Sequence, residues 1–403
     1  MSPGHNLGRS LTIERFAFQP TLGSFRPILA TVCLIGMLLS ACGYSTTSPG
    51  GSSLGGSVKV GAPLSLTGPA ANAGTHIQEG MQVATDEVNS NKFLGAATLS
   101  VNYVDVDSTP QQAVTVARQM IEQDQVNALV GLTLSTQAPV VAAVAQSAQT
   151  PLIVTEGAAP GVSASGDYIT QTNVQQYTFA DKMGEALKKL NVGTTEVLYA
   201  QDNPTIVTMV HTYTDQVFRK YGVRPTLKAY VATDTDLSAG ITQALAANVD
   251  AIGCLFISAQ GATCLSQARN AGFKGQLWGG SGFDGGTAVK AGAVAEGLIF
   301  TTGWSPDFPY EASKRFIQLY QAKFPGKTPT ANQAEGYDAI WLLARSIKAG
   351  NGTSRAAIHA GMLKVLAQGM NGALGPMTWD KDRVLHAPGA VIQIKNGQPV
   401  LFL

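Results

Sequence analysis

The residues able to do chemistry are few and scattered. The five histidines, His5, His76, His211, His359 and His386, lie far apart, and none sits in a recognisable motif. There is no HExxH, which would place two zinc ligands and a base on one helix face, and no GxxxxGK[ST] phosphate loop. A Ser–His–acid set is not pointed to by any local pattern. Cys254 and Cys264 have no histidine beside them and make a poor zinc site. The reading is therefore of a protein that is not an enzyme, with no metal and no cofactor. Three short segments remain. Gly280-Ser-Gly-Phe-Asp-Gly285 matches GxGxxG. It lacks an acidic residue about 20 positions on to hold a ribose, so it reads as a glycine-rich strand-to-helix turn and not as a dinucleotide site. Gly131-Leu-Thr-Leu-Ser-Thr-Gln137 leads into an Ala/Val helix. Its Ser135 and Thr136, with free N–H groups at a helix start, can hold a carboxylate, or one of them can simply cap the helix. Thr155-Glu-Gly-Ala-Ala-Pro160 offers small residues that let a ligand reach the backbone, or is an ordinary loop.

Elements must hold these turns in place. The chain has 403 residues, 45% hydrophobic and 13% charged, which is enough for two α/β domains of ordinary size. With 27 basic and 26 acidic side chains, it carries no cluster suited to nucleic acid. Runs rich in Val, Ile and Leu predict strands at 58–64, 98–105, 126–131, 152–155, 196–200, 227–231, 250–257, 276–278 and 298–302. Helical stretches between them indicate βαβ units and parallel sheets. Thr109-Pro110-Gln111-Gln112 marks one helix start, with a capping residue and proline at the first helical position. The stripe Ala113, Val114, Ala117, Met120 and Ile121 follows at helical spacing. Ile77, Met81, Ala84 and Val88 form a second stripe, and Phe316, Leu319, Tyr320 and Phe324 a third; all three read as core.

The N-terminus reads as an export signal. Arg9, Arg15 and Arg26 precede an apolar stretch at 28–39, too short to span a bilayer, which needs about 20 residues. It ends in Leu39-Ser40-Ala41-Cys42, which resembles the lipobox of bacterial lipoproteins. That motif implies cleavage after residue 41 and a lipid on the Cys42 thiolate. Residues 42–57, rich in Gly and Ser, then read as a flexible tether. In an oxidising compartment Cys254 and Cys264 form a disulfide or remain two buried thiols.

Several segments together carry a family resemblance. They are VKVGAPLSLTGP at 58–69, GMQVATDEVN at 80–89, DVDSTPQQAV at 105–114, VGLTLSTQ at 130–137, QARNAGF at 267–273, AEGL at 295–298, EGYDA at 335–339 and LGPMTWD at 374–380. In order and spacing, the chain resembles leucine-binding-protein-like solute receptors of branched-chain amino acid ABC transporters. The resemblance implies an α/β fold of the type I periplasmic binding protein kind. Two Rossmann-like lobes with mainly parallel sheets would be joined by a three-crossover hinge. One lobe is expected at 58–176 plus 304–375, the other at 177–303 plus 376–403. It also implies an extracytoplasmic, probably-sized single-chain receptor (a monomer) that closes on a small ligand and meets permease subunits. A sensing subunit of a signalling complex and an exported α/β enzyme are the other readings that this fold permits.

The family's pocket carries over position by position. Its carboxylate-binding serine corresponds to Ser135, and its ammonium-binding backbone carbonyl to Gly157. The threonine after that falls at Ala159, and the acid of the second-lobe turn at Ser281. Pocket aromatics fall at Ala73 and near Asn332, and a pocket tyrosine near Thr205 or Ile206. With Thr136, Ala158 and Phe283 beside them, these form the expected lining. The carboxylate end is kept and the ammonium end is stripped. A buried ammonium without a counter-charge costs several kcal/mol. The expected ligand is thus a carboxylate, an amide or another polar molecule, unless Glu156 or Asp284 replaces the missing acid.

Overall fold

The computed structural model describes residues 55–157, 159 and 161–403. The expected signal, Cys42 and Ala158 lie outside the described residues. The first half of the chain runs β1 (Ser57–Leu64), α1 (Ala71–Ser90), β2 (Thr98–Asp105), α2 (Pro110–Glu122), β3 (Ala128–Gly131), α3 (Ala138–Ser147), β4 (Leu152–Val154) and β5 (Ile169–Gln171). Its strands form one parallel sheet in the order β2-β1-β3-β4-β5. Both faces of that sheet are covered: Val58, Val60, Ala62 and Leu64 of β1 are wholly buried. Such strands need apolar residues on both sides, which is why their sequences lack polar alternation.

A crossover leads to α4 (Ala180–Lys189), β6 (Thr194–Ala200), α5 (Pro204–His211), β7 (Arg224–Tyr230), α6 (Ser238–Ala246), β8 (Ala251–Leu255), α7 (Ser258–Asn270), β9 (Gln276–Gly279), α8 (Thr287–Lys290) and β10 (Ile299–Thr302). A second crossover returns to α9 (Glu311–Lys323), α10 (Ala331–Gly350) and α11 (Arg355–Gln368). The last crossover folds as a small antiparallel sheet of β11 (Met370–Gly372), β12 (Gly375–Trp379) and β13 (Leu385–His386). The chain ends in β14 (Ala390–Lys395) and β15 (Gln398–Leu401). The second sheet runs β15-β14-β10-β9-β8-β6-β7, antiparallel only where β14 joins β10 and β15. Among the described residues, no helix is long and apolar enough to cross a membrane.

The nine strands expected from sequence all form. The strands not foreseen are β5, which has three residues, and β11 to β15, which are short or pair antiparallel at an edge. Periodicity is weakest in such pieces. The return to the second lobe also comes later than the expected residue 376. Trp379 Nε1 donates to Gln171 O at 3.0 Å, and Arg383 donates to the carbonyls of Ile169, Ser163 and Gly166. These residues stay with the first sheet, and β14 is the first segment after β10 to pair with the second.

Helices α1 and α10 lie unusually close. A Cβ on Gly80 would stand 1.9 Å from Gln333 O, and one on Gly336 would stand 2.3 Å from Ile77 O. Only glycine permits this approach. Buried acids of α1 then fasten the pair. Glu79 accepts from Tyr320 Oη at 2.6 Å, Lys327 Nζ at 2.5 Å and Gln333 Nε2 at 3.1 Å. Glu87 accepts from Tyr337 Oη at 2.5 Å, from Trp341 Nε1 at 3.0 Å and from Arg315 Nε. In the second half, Cys254 of β8 and Cys264 of α7 form a disulfide, with Cα atoms 6.0 Å apart.

Candidate binding cleft

The loop after β4 is tied to the loop after β3. The N–H groups of Glu156 and Gly157 donate to Leu132 O at 3.2 Å each, and Thr155 Oγ1 donates to it at 3.0 Å. Leu132 itself has φ 75°, a left-handed conformation uncommon for a side chain of this kind. A Cβ on Gly157 would lie 2.8 Å from the Ala138 Cβ, so its glycine lets the loop rest on the start of α3. The arrangement holds Glu156 at the C-terminal end of the parallel strands, where open α/β sheets bind ligands.

Glu156 Oε2 accepts from Asn332 Nδ2 at 3.0 Å and from Asn173 Nδ2 at 3.4 Å. Asn173 belongs to the first crossover. Asn332 is on the first turn of α10, fixed by a capping box between Thr330 and Gln333. One turn further, the Glu335 carboxyl makes a hydrogen bond with that of Glu156. Two carboxyls can do this only if a proton lies between them. From the second sheet, the turn after β9 brings in Asp284, beside the Thr302 hydroxyl at the end of β10. The neighbouring Gly285 faces the first-sheet side: a Cβ there would lie 3.6 Å from Asn72 Nδ2 and 3.9 Å from Asn332 Oδ1. Loops of the two sheets therefore meet.

The electrostatics are one-sided. Burial raises the pKa of Glu335 well above the usual carboxylate range, and the nearby charges of Glu156, Asp284 and Asp338 add to it. Burial likewise raises Asp284, with a smaller push from Glu156, and it raises Glu156 against three hydrogen-bonding partners. No lysine, arginine or histidine is among the groups acting on these three acids.

The sequence-derived lining is distributed around this cluster. Ser135 is half-buried and Thr136 exposed in the turn before α3. Neither caps that helix: Gln137 occupies the cap position, and the cap makes no side-chain bond. Gln137 Oε1 instead accepts from Leu134 N at 3.1 Å, and its Nε2 donates to Ser65 Oγ at 3.1 Å. Ala73, Ala159 and Ser281 are half-buried. Thr205 and Ile206 begin α5, their N–H groups donating to Asn203 Oδ1 at 3.0 and 3.2 Å. Phe283 does not line the cleft. It is 1% exposed, packs on Phe300 at 6.1 Å, and fills the space that Gly261 and Gly279 leave open. The turn at 280–285 reads in the fold as a single turn of 3-10 helix followed by the four-residue α8, not as a glycine loop opening a long helix. Sequence reasoning missed Glu335 and Asn173. Glu335 opens the EGYDA segment, three positions past Asn332, so helical spacing was the one signal that could have found it.

A family profile described as periplasmic binding protein matches residues 57–399. The chain belongs to the periplasmic binding protein family. Among solved structures, it is similar to a leucine-binding protein, LivK, from Thermotoga maritima, with 26% identity and a TM-score of 0.77 over 86% of this chain and 98% of that one. It is also similar to the branched-chain amino acid transporter substrate-binding protein LivJ from Streptococcus pneumoniae, solved with isoleucine, with 24% identity and a TM-score of 0.76 over 85% and 98%. An ABC transporter solute-binding protein from R. palustris, solved with benzoate, matches at 21% identity and a TM-score of 0.74 over 86% and 95%. The last two likenesses are of fold. The fold of this family member is accordingly that of type I periplasmic binding proteins, with mostly parallel central sheets.

Proposed function

We propose that this periplasmic binding protein is the capture subunit of an ABC uptake system. It takes a small solute in the cleft and hands it unaltered to permease subunits. The observation that supports this reading is the meeting of Glu156, Asn332 and Glu335 from the first-sheet side with Asp284 from the second, a polar cluster that exists only when the two lobes close. We place one lobe at 58–176 plus 304–389 and the other at 177–303 plus 390–403. Rotation about the three crossovers opens and closes the cleft, and a ligand shifts that equilibrium by as much as it favours the closed form. The solute lies against Ser135, Gly157, Asn332 and the acid cluster. Cys42 carries the lipid that holds the protein at the outer face of the membrane, and the following Gly/Ser segment gives it reach.

The test begins with mass spectrometry of whatever the purified full chain releases on unfolding. Cells lacking the gene then fail to take up that compound, and Cys42→Ser moves the protein from the membrane fraction to the soluble one. Uptake at the wild-type rate without the gene would rule out this role.

A further inference from the structure

We infer that the cleft binds a small cation with several N–H donors, of the guanidine or diamine class, with Glu156, Glu335 and Asp284 as its charge partners and Asn173 as a further acceptor. The inference rests on the reading of the cleft as a solute site and names the chemistry of that solute.

Two separate observations carry it. The first is the missing counter-charge. Elsewhere the protein pairs its buried acids with cations: Glu79 with Lys327 at 2.5 Å, and Glu87 with Arg315. In the cleft, three acids from three segments converge and act only on one another and on Asp338. Burying unpaired charge costs several kcal/mol, so the arrangement is complete only with a cation from outside. The second is the identity of the atoms left over. Asn173 is 3% exposed and Glu335 is 4% exposed, yet Asn173 Oδ1 and Glu335 Oε2 have no hydrogen-bond partner among the described residues. Both are acceptors. Asn173 has its Nδ2 turned to Glu156, so its amide lies in the cluster. A buried acceptor without a donor costs about 1–3 kcal/mol.

The alternatives satisfy one observation at most. An anion adds charge where nothing opposes it. A neutral amide gives N–H donors and leaves the acids unpaired. A quaternary ammonium supplies charge and no donor. A guanidinium or a diamine supplies both, and its geometry allows bonds to two carboxylates at once. Its arrival also displaces the proton shared between Glu156 and Glu335 into solution.

The test uses the full chain, stripped of bound solute by unfolding, dialysis and refolding. Titration calorimetry at pH 6.5 compares agmatine and putrescine with leucine, glycine betaine and benzoate, and mass spectrometry identifies any solute released on unfolding. The expected result is micromolar binding of agmatine or putrescine, or release of another N–H cation. Its binding heat should change with the ionisation enthalpy of the buffer, because protons leave. Glu335→Gln should lower its affinity at least 50-fold while the variant remains folded and melts no lower than wild type. Binding or release of a neutral or anionic compound instead overturns the cation inference and leaves solute capture standing. Cation binding indifferent to Glu335→Gln also overturns it. If none of the five binds and nothing is released, solute capture fails as well.

Discussion

Glu335 and Asp338 sit one turn apart on α10, both almost wholly buried, and they serve different ends. Asp338 is a structural acid. Its two oxygens accept from Ala373 N and Leu374 N at 2.8 Å each, which pins the last crossover to α10, although burial still pushes its pKa up to about 7. Glu335 has no such donors, and the charge of Glu156 opposes its ionisation. The consequence for pH follows from linkage. A carboxyl whose folded pKa is raised contributes stability that is fully present below its unfolded value, about 4. That contribution is lost as pH rises toward the folded value, because the unfolded chain sheds the proton first. Asp105 and Asp250 push the other way, since hydrogen-bond donors hold them below the usual range and their contribution is lost as pH falls. The difference between variant and parent isolates the effect. In thermal melts without ligand, Glu335→Gln should match wild type near pH 4 and exceed it by a margin that grows up to pH 7. A margin constant with pH would show that Glu335 is not held protonated in the fold.

Among the elements, α10 decides whether the site exists. It supplies Asn332 and Glu335, and its position is set by the close seam with α1. The Cβ of Gly336→Ala would lie 2.3 Å from Ile77 O, so one helix must move. Overpacking of this kind costs typically about 1–3 kcal/mol. The variant should therefore lose that much stability in urea titration, and its ligand affinity should fall further than stability alone explains, because Asn332 and Glu335 shift together relative to Glu156. Full affinity in a folded Gly336→Ala protein would show that the seam does not position the site. The EGYDA and GMQVATDEVN segments were legible from sequence as parts of helices. That their glycines face each other was not, because the contact joins residues far apart in the chain. Phe283 shows the same gap from the other side. Its place in a glycine-rich turn made it a candidate for the lining, while the missing side chains of Gly261 and Gly279 draw its ring into the core.

For the whole molecule, the prediction concerns closure. The acid cluster draws on both sheets, so repulsion among its members favours the open form of the empty protein once they ionise. A cation then favours the closed one. Hydrogen exchange at neutral pH should show slower exchange on ligand addition at 155–157, at 282–286 and at 332–336 together, with the interiors of both sheets unchanged. Protection confined to the loops of one lobe would exclude hinge closure.

The amino-acid sequence by itself determined the alternation of strands and helices, the probable export signal's apolar stretch and cysteine, and the family, because these depend on local composition and on motifs in order. It also placed Ser135, Gly157, Asn332, Glu156 and Asp284 near one another through resemblance. Position-by-position carry-over then favoured a carboxylate or an amide as ligand, since the family's acid position holds Ser281. Only the tertiary structure supplied acids from other segments, with Glu335 and Asn173 completing the set. Charge balance in a cleft is a sum over everything that reaches it, and that sum is fixed by which distant segments the fold brings together.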